Sequence, residues 1–168
     1  SLLLFASLHA QSDVSSNAVS AGSTKAPPPV VVASYNLENY ISMPRMVNGH
    51  MRTAGKPESE KVAVAKIISE IHPDIIGVME MGDTRQFNDF QRHLHDVGLD
   101  YIYTEYVQGF DPTRHVALLS QFPIVARNSQ SMIPFQLNGT TAYSPRGILD
   151  VTLQLQPDYQ LRVIALHL

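Results

Sequence analysis

The apolar positions of this chain fall into short runs and two helical stripes. The most informative run is Asp74-Ile75-Ile76-Gly77-Val78-Met79-Glu80-Met81, bounded by Pro73 in front and Gly82-Asp83 behind. An apolar run of that length between such breakers predicts a buried strand. Ahead of it, Val64, Ile67, Ile68 and Ile71 share one face of a helix predicted from about Glu58 to Ile71 and closed by Pro73. Val30 to Leu37 predicts a strand before that helix, and the strand–helix–strand unit makes the two strands parallel. Phe87, Phe90, Leu94 and Val97 predict a second helix from about Thr84 to Val97, with Gly98 as its stop. Tyr101 to Tyr106, His115 to Ser120 and Ile124 to Ala126 read as further strands. Leu149, Val151, Leu153 and Leu155 alternate with Asp150, Thr152 and Gln154, the pattern of a half-buried strand. Pro157-Asp158 turns it into a last strand from Gln160 to Leu168, making a hairpin. The polar stretch from Asn39 to about Pro57 and the stretch 130–145 read as loops.

The two ends read differently from this α/β body. Residues 1–10 resemble the apolar core and cleavage end of an export signal, although Leu8-His9-Ala10 carries Leu where a small residue is preferred. Residues 11–29, rich in Ser, Ala and Gly and ending in Pro27-Pro28-Pro29, predict a flexible linker. The domain is expected over residues 30–168, incomplete at its C-terminus, because the last strand pattern stops on an apolar residue. An export signal implies a secreted or periplasmic protein.

Composition narrows the chemistry. With 168 residues and 44% hydrophobic content, the chain suits one domain with a real core. The formal net charge is −3, so nothing is basic enough to announce nucleic acid by charge alone. A protein that grips phosphate through a metal need not be basic. The absence of cysteine excludes disulfides and thiolate chemistry.

Glu80 is the residue out of place. A buried strand has no cheap site for an ionised carboxylate unless it is paired or bound to a cation. Asn36 ends the first strand and Glu80 the second, and parallel strands bring their C-terminal ends to one edge, where ligands of open α/β sheets gather. A carboxylate beside an amide is a hard-oxygen pair that suits Mg²⁺ or Mn²⁺ better than zinc. The ordinary alternatives are a solvated strand-end acid at Glu80 and a turn-starting Asn36. Arg45, His50, Arg52 and Lys56 most simply decorate a solvated loop, and His93, His95 and His115 lack ligand-like spacing.

Several pieces together resemble one family. Ser34-Tyr35-Asn36-Leu37-Glu38-Asn39 and Asp74-Ile75-Ile76-Gly77-Val78-Met79-Glu80 are similar to the first two motifs of the endonuclease/exonuclease/phosphatase superfamily. Val116-Ala117-Leu118-Leu119-Ser120 with Phe122-Pro123-Ile124, then Arg146-Gly147-Ile148-Leu149, and Val163-Ile164-Ala165-Leu166-His167-Leu168 resemble the next three, in order. The resemblance implies a DNase I-like, four-layered α/β sandwich, of which roughly the first sheet and two helices are expected here. It implies a metal-dependent phosphoester hydrolase, most like an endonuclease, with Glu80 as metal ligand and Asn36 beside the metal and phosphate. It implies His167 at the scissile phosphate, backed by Glu105, and Arg146 on a substrate phosphate oxygen. The cofactor implied is Mg²⁺ or Mn²⁺, and the partner is a phosphoester substrate, nucleic acid included, without stable membrane insertion. The family's later motifs have no counterpart in this sequence, so the chain alone is expected to hydrolyse little. A phosphatase, a sphingomyelinase-like phosphodiesterase and a non-catalytic binding module of the same fold remain open.

Overall fold

The computed structural model describes residues 2–9 and 29–167, in a mixed α/β architecture. Its elements run β1 (Leu2–His9), β2 (Val32–Tyr40), β3 (Met43–Val47), β4 (His50–Ala54), α1 (Glu58–Ile71), β5 (Ile75–Met81) and α2 (Thr84–Asp96). They continue as β6 (Tyr103–Val107), β7 (His115–Ser120), β8 (Ile124–Arg127), β9 (Pro134–Leu137), β10 (Thr140–Tyr143), β11 (Leu149–Gln156) and β12 (Tyr159–His167). Among the described residues there are two four-stranded sheets, ordered β2-β5-β7-β6 and β1-β12-β11-β8, and two separate hairpins, β3–β4 and β9–β10. Residues 11–28 of the linker read from sequence lie outside the described residues. No described helix is long and apolar enough to cross a membrane.

Side-chain alternation along β5 and β7 explains the layering. Ile76, Val78, Ala117 and Leu119 face the helices, with Ile68 of α1 and Phe87, Phe90 and Leu94 of α2. Ile75, Val116 and Leu118 point the other way, onto Leu149, Val151 and Leu153 of β11 and Leu161, Val163 and Ala165 of β12. The first sheet is therefore buried on both faces, which is why β5 reads as an unbroken apolar run. The second sheet is buried on one face, which is why β11 alternates. Its outer face carries Thr152, Gln154, Gln160 and Arg162, and Arg162 makes two bonds to Asp150, at 2.9 and 2.6 Å.

Local chemistry sets the boundaries. Asp83 caps α2 by accepting from the N–H groups of Arg85 and Gln86. Gly98, at φ 85°, ends that helix while Leu99 donates back to Leu94. β2 and β5 are parallel, as the crossover requires, and β11 and β12 form the hairpin expected around Pro157-Asp158.

The two loops read from sequence are instead hairpins. Each turns on an Asn-Gly pair with positive φ at both residues: Asn48 (50°) with Gly49 (78°), and Asn138 (50°) with Gly139 (77°). That is the combination a tight two-residue hairpin turn needs.

A polar knot joins α1, α2 and β2. The Tyr40 hydroxyl donates to Asp89 at 3.0 Å, Lys61 reaches the same carboxylate at 2.8 Å, and His93 meets Glu58 at 2.7 Å. The Tyr40 ring packs edge-on against Phe90, with centroids 5.5 Å apart. Burial opposes ionisation of Asp89, yet hydrogen bonds from Lys61, Arg92 and Tyr40 outweigh it and hold the carboxyl down at about 2. A carboxyl whose folded pKa lies below its unfolded value stabilises the fold above the unfolded value, and the gain is lost as pH falls through the folded one. Asp89→Asn should therefore lower the unfolding free energy near neutral pH by on the order of 2 kcal/mol. The gap from wild type should close as pH drops from about 4 towards 2, as read by urea unfolding across that range.

Candidate functional site

The site begins as two interruptions of the first sheet. Pairing of β2 with β5 is regular from Val32↔Ile75 to Asn36↔Met79 and then jumps to Tyr40↔Met81. Pairing of β5 with β7 likewise skips from Met79↔Val116 to Met81↔His115. Glu80 is the residue left out, at φ 58°, and Glu38 and Asn39 across from it sit at 48° and 62°. Left-handed backbone costs a non-glycine residue roughly 1–2 kcal/mol, and Asn tolerates it better than most. The bulge turns Glu80 out of the core that its neighbours Met79 and Met81 enter, and lifts its carboxylate to the sheet edge.

There both carboxylate oxygens are gripped. The Asn36 amide donates to Oε1 at 3.1 Å, and the backbone N–H of Asn39 donates to Oε2 at 2.8 Å. The Asn36 Oδ1 in turn accepts from the Glu38 N–H at 2.9 Å. Asn36 thus spends both ends of its amide on fixing Glu80 and the β2 bulge. Asn36 and Glu80 thus meet at one sheet edge, in direct contact at 3.1 Å.

A set of cationic groups surrounds this centre. Arg114 donates through Nε to the Asn39 side chain at 2.9 Å, Arg45 donates to the Asn39 carbonyl at 2.9 Å, and Lys56 reaches the Glu38 carbonyl at 3.2 Å. His167, at the end of β12, brings Nε2 to 3.8 Å from Glu80 Oε1. Arg146 lies 3.6 Å from Asp111. The buried nitrogens Arg45 Nε, Arg146 Nε and His167 Nδ1 have no hydrogen-bond partner among the described residues. Burial first, then the positive charge of Arg146, hold the His167 imidazole below its ordinary pKa, against the opposing pull of Glu80.

Glu105 does not take the place expected for it behind His167. Its carboxylate is bonded to Arg127 of β8, and His167 is held below its ordinary pKa, the opposite of what a carboxylate behind it would do. Register gives the reason. Glu105 pairs with Leu118, which pairs with Gly77, so it sits two strands over and three residues below Glu80. At about 4.8 Å per strand and 3.3 Å per residue, that is roughly 10 Å in each direction. The side chain points between the sheets, where Arg127 meets it from the margin of the second sheet. Of the five residues singled out from sequence, the structure brings Glu80, Asn36 and His167 together, sets Arg146 near enough to act on His167, and leaves Glu105 apart.

Sequence reasoning missed Asn39, Arg114 and Asp111. Arg114 immediately precedes β7, and an antiparallel β7 beside β5 puts that residue at the edge where Glu80 emerges. The antiparallel register is the signal that would have found it. Among the described residues no group of three or more His, Asp or Glu side chains converges as a metal cage. One carboxylate with neighbouring amides suits a hard cation that keeps most of its water, as Mg²⁺ and Mn²⁺ do, rather than tetrahedral zinc.

In comparisons with known proteins, no family model matches this chain and no curated protein does. The fold is similar to the solved structure of an endonuclease/exonuclease/phosphatase family protein from Leptotrichia buccalis C-1013-b, with a TM-score of 0.52 and 15% sequence identity. The likeness covers 76% of this chain and 50% of that one, so the chain spans about half the length of that protein. At this identity the likeness establishes the fold. The geometry itself predicts how His167 titrates without metal. Glu105→Gln should leave the imidazole pKa in place, and Arg146→Gln should raise it by removing a repelling cation, both read by NMR titration of the His167 ring protons.

Proposed function

We propose that this chain carries the phosphate-gripping half of a metal-dependent phosphoester hydrolase, most like an endonuclease acting on phosphodiester bonds. The observation that carries the reading is a fixed carboxylate, Glu80, beside buried nitrogens that lack partners, on the Arg45 and Arg146 guanidinium groups and the His167 imidazole. Such nitrogens are costly to bury unpaired, and a phosphate oxygen is the acceptor that matches them. The fold of the Leptotrichia protein supports the same reading.

Glu80 is the residue that would hold the cation, with Asn36 and the Asn39 N–H fixing the direction of its lone pairs. A bound Mg²⁺ or Mn²⁺ would supply neutralisation of charge on the phosphate and on the leaving oxygen. Arg146 would fork onto a non-bridging oxygen, with Asp111 holding the guanidinium in place. His167 starts neutral, because burial and Arg146 disfavour its charged form. An arriving phosphate anion would raise its proton affinity and make it a donor to that phosphate. Glu105 has no part in this scheme. Export to the periplasm or the medium belongs to the same proposal on the apolar pattern of residues 1–10 alone, because Leu2–His9 pairs with β12 as β1, a place that a cleaved signal would not hold.

Mn²⁺ provides a test that does not depend on turnover. Added Mn²⁺ should broaden the NMR signals of Asn36, Asn39 and His167 selectively, and Glu80→Ala should weaken Mn²⁺ binding about tenfold or more. Mn²⁺ affinity unchanged by Glu80→Ala would sink the metal assignment. With metal, hydrolysis of a nucleic-acid strand that Glu80→Ala removes supports the endonuclease reading, whereas hydrolysis confined to phosphomonoesters replaces it with a phosphatase.

A further inference from the structure

Next to the phosphate grip stands an aromatic pair that the proposed chemistry does not use. Phe110 and Tyr143 are stacked, with ring centroids 5.9 Å apart and planes 15° from parallel. Both remain open to solvent, Phe110 at 61% and Tyr143 at 39% exposure. Their positions in the chain tie them to the site. Phe110 directly precedes Asp111, the carboxylate that faces Arg146 at 3.6 Å. Tyr143 directly precedes Ser144, whose hydroxyl donates to the Arg146 carbonyl at 2.6 Å.

The backbone beneath Phe110 is clamped on both sides. A Cβ on Gly109 would lie 2.6 Å from the Arg146 Cα, so only glycine lets the two segments approach this closely. The Asp111 N–H donates to the Pro145 carbonyl at 2.6 Å. The Asp111 Oδ1 accepts from the Thr113 N–H and hydroxyl and from the Arg114 N–H, which closes the loop on itself. A ring on so fixed a backbone cannot simply fold into the core. It is presented outward, with one face on Tyr143.

Resting on the phosphoester reading above, we propose that Phe110, backed by Tyr143, is a stacking platform for a nucleobase whose phosphate is held by Arg146. The substrate class is thereby a nucleotide strand with at least one base unstacked from its neighbours. A flat ring linked through a sugar to a phosphate is the ligand that matches a flat exposed ring fixed beside a phosphate-binding guanidinium. A lipid is the weaker match. The other exposed apolar side chains of this hairpin, Phe135 and Leu137, pair across to Ala142 and Thr140. Strand alternation puts them on the opposite face from Tyr143, so they do not extend the ring pair into one apolar surface.

The test uses the full chain and two short single strands of equal length and charge, one carrying bases and one abasic throughout, with affinity read by fluorescence anisotropy. Wild type should bind the base-bearing strand about 5- to 100-fold more tightly. Phe110→Ala should remove that difference and leave the abasic affinity unchanged, while Phe110→Tyr should keep it. Stacking should also quench a 2-aminopurine base in the strand, and Phe110→Ala should abolish the quenching. Equal affinity for both strands in wild type, or an equal loss for both in Phe110→Ala, overturns the platform. So does Phe110-dependent binding to phosphatidylcholine vesicles in place of the strand. If neither strand binds, the platform falls, and orthophosphate then decides the underlying reading separately. Perturbation of the Arg146 and His167 NMR signals by orthophosphate would keep the phosphate site, and silence would remove it too.

Discussion

Everything at this site depends on the double hydrogen bond that the β2 bulge makes to one carboxylate. The Asn36 amide and the Asn39 N–H take the two oxygens of Glu80 from two positions on the same short stretch of chain. Two bulges must face each other for this to happen, one in β2 and one in β5, and three residues adopt left-handed backbone to make them. Charge-assisted hydrogen bonds are the stronger kind, and two of them oppose a comparable backbone cost. The carboxylate and the bulges stabilise one another, and neither is explicable alone.

The surrounding fold keeps this arrangement from relaxing. Tyr40 follows Asn39 immediately, and its ring is buried against Phe90 while its hydroxyl is fixed by Asp89. On the other strand Met81 follows Glu80 and is fully buried among the helix-facing residues. Each strained segment therefore runs straight into a deeply packed anchor. From the far side, β12 delivers His167 because Val163 and Ala165 pack against the first sheet. The distance between a histidine on one sheet and a glutamate on the other is thus set by the thickness of an apolar core.

Much of this was legible in the chain. Continuous apolar runs marked the doubly buried β5 and β7, and alternation marked the singly buried β11. Helical stripes gave α1 and α2, although Ile67, Ile71 and Val97 of those stripes are exposed rather than buried, and the crossover gave the parallel β2–β5 pair that brings Asn36 to Glu80. What escaped were features decided by register and by short-range turn chemistry. Asn48-Gly49 and Asn138-Gly139 announce hairpins, but their flanking strands are only four or five residues long and mostly exposed, so they carry almost no periodic signal. Glu105 was misplaced because its partner depends on which strands neighbour β6, and an ion pair across two sheets has no sequence spacing to betray it. The sign of the His167 shift depended on burial and on a guanidinium brought in from far along the chain.

The left-handed backbone at Glu80 also bears on how this protein could be changed. Glycine at that position would release the conformational cost there, yet it would also remove the two hydrogen bonds that offset it and the carboxylate around which the two bulges are built. Stability is therefore nearly indifferent to this one residue, while the ligand depends on it wholly. A screen for heat resistance alone would be blind to the loss of this carboxylate, so a stabilised variant has to be assayed for its ligand as well as for its melting.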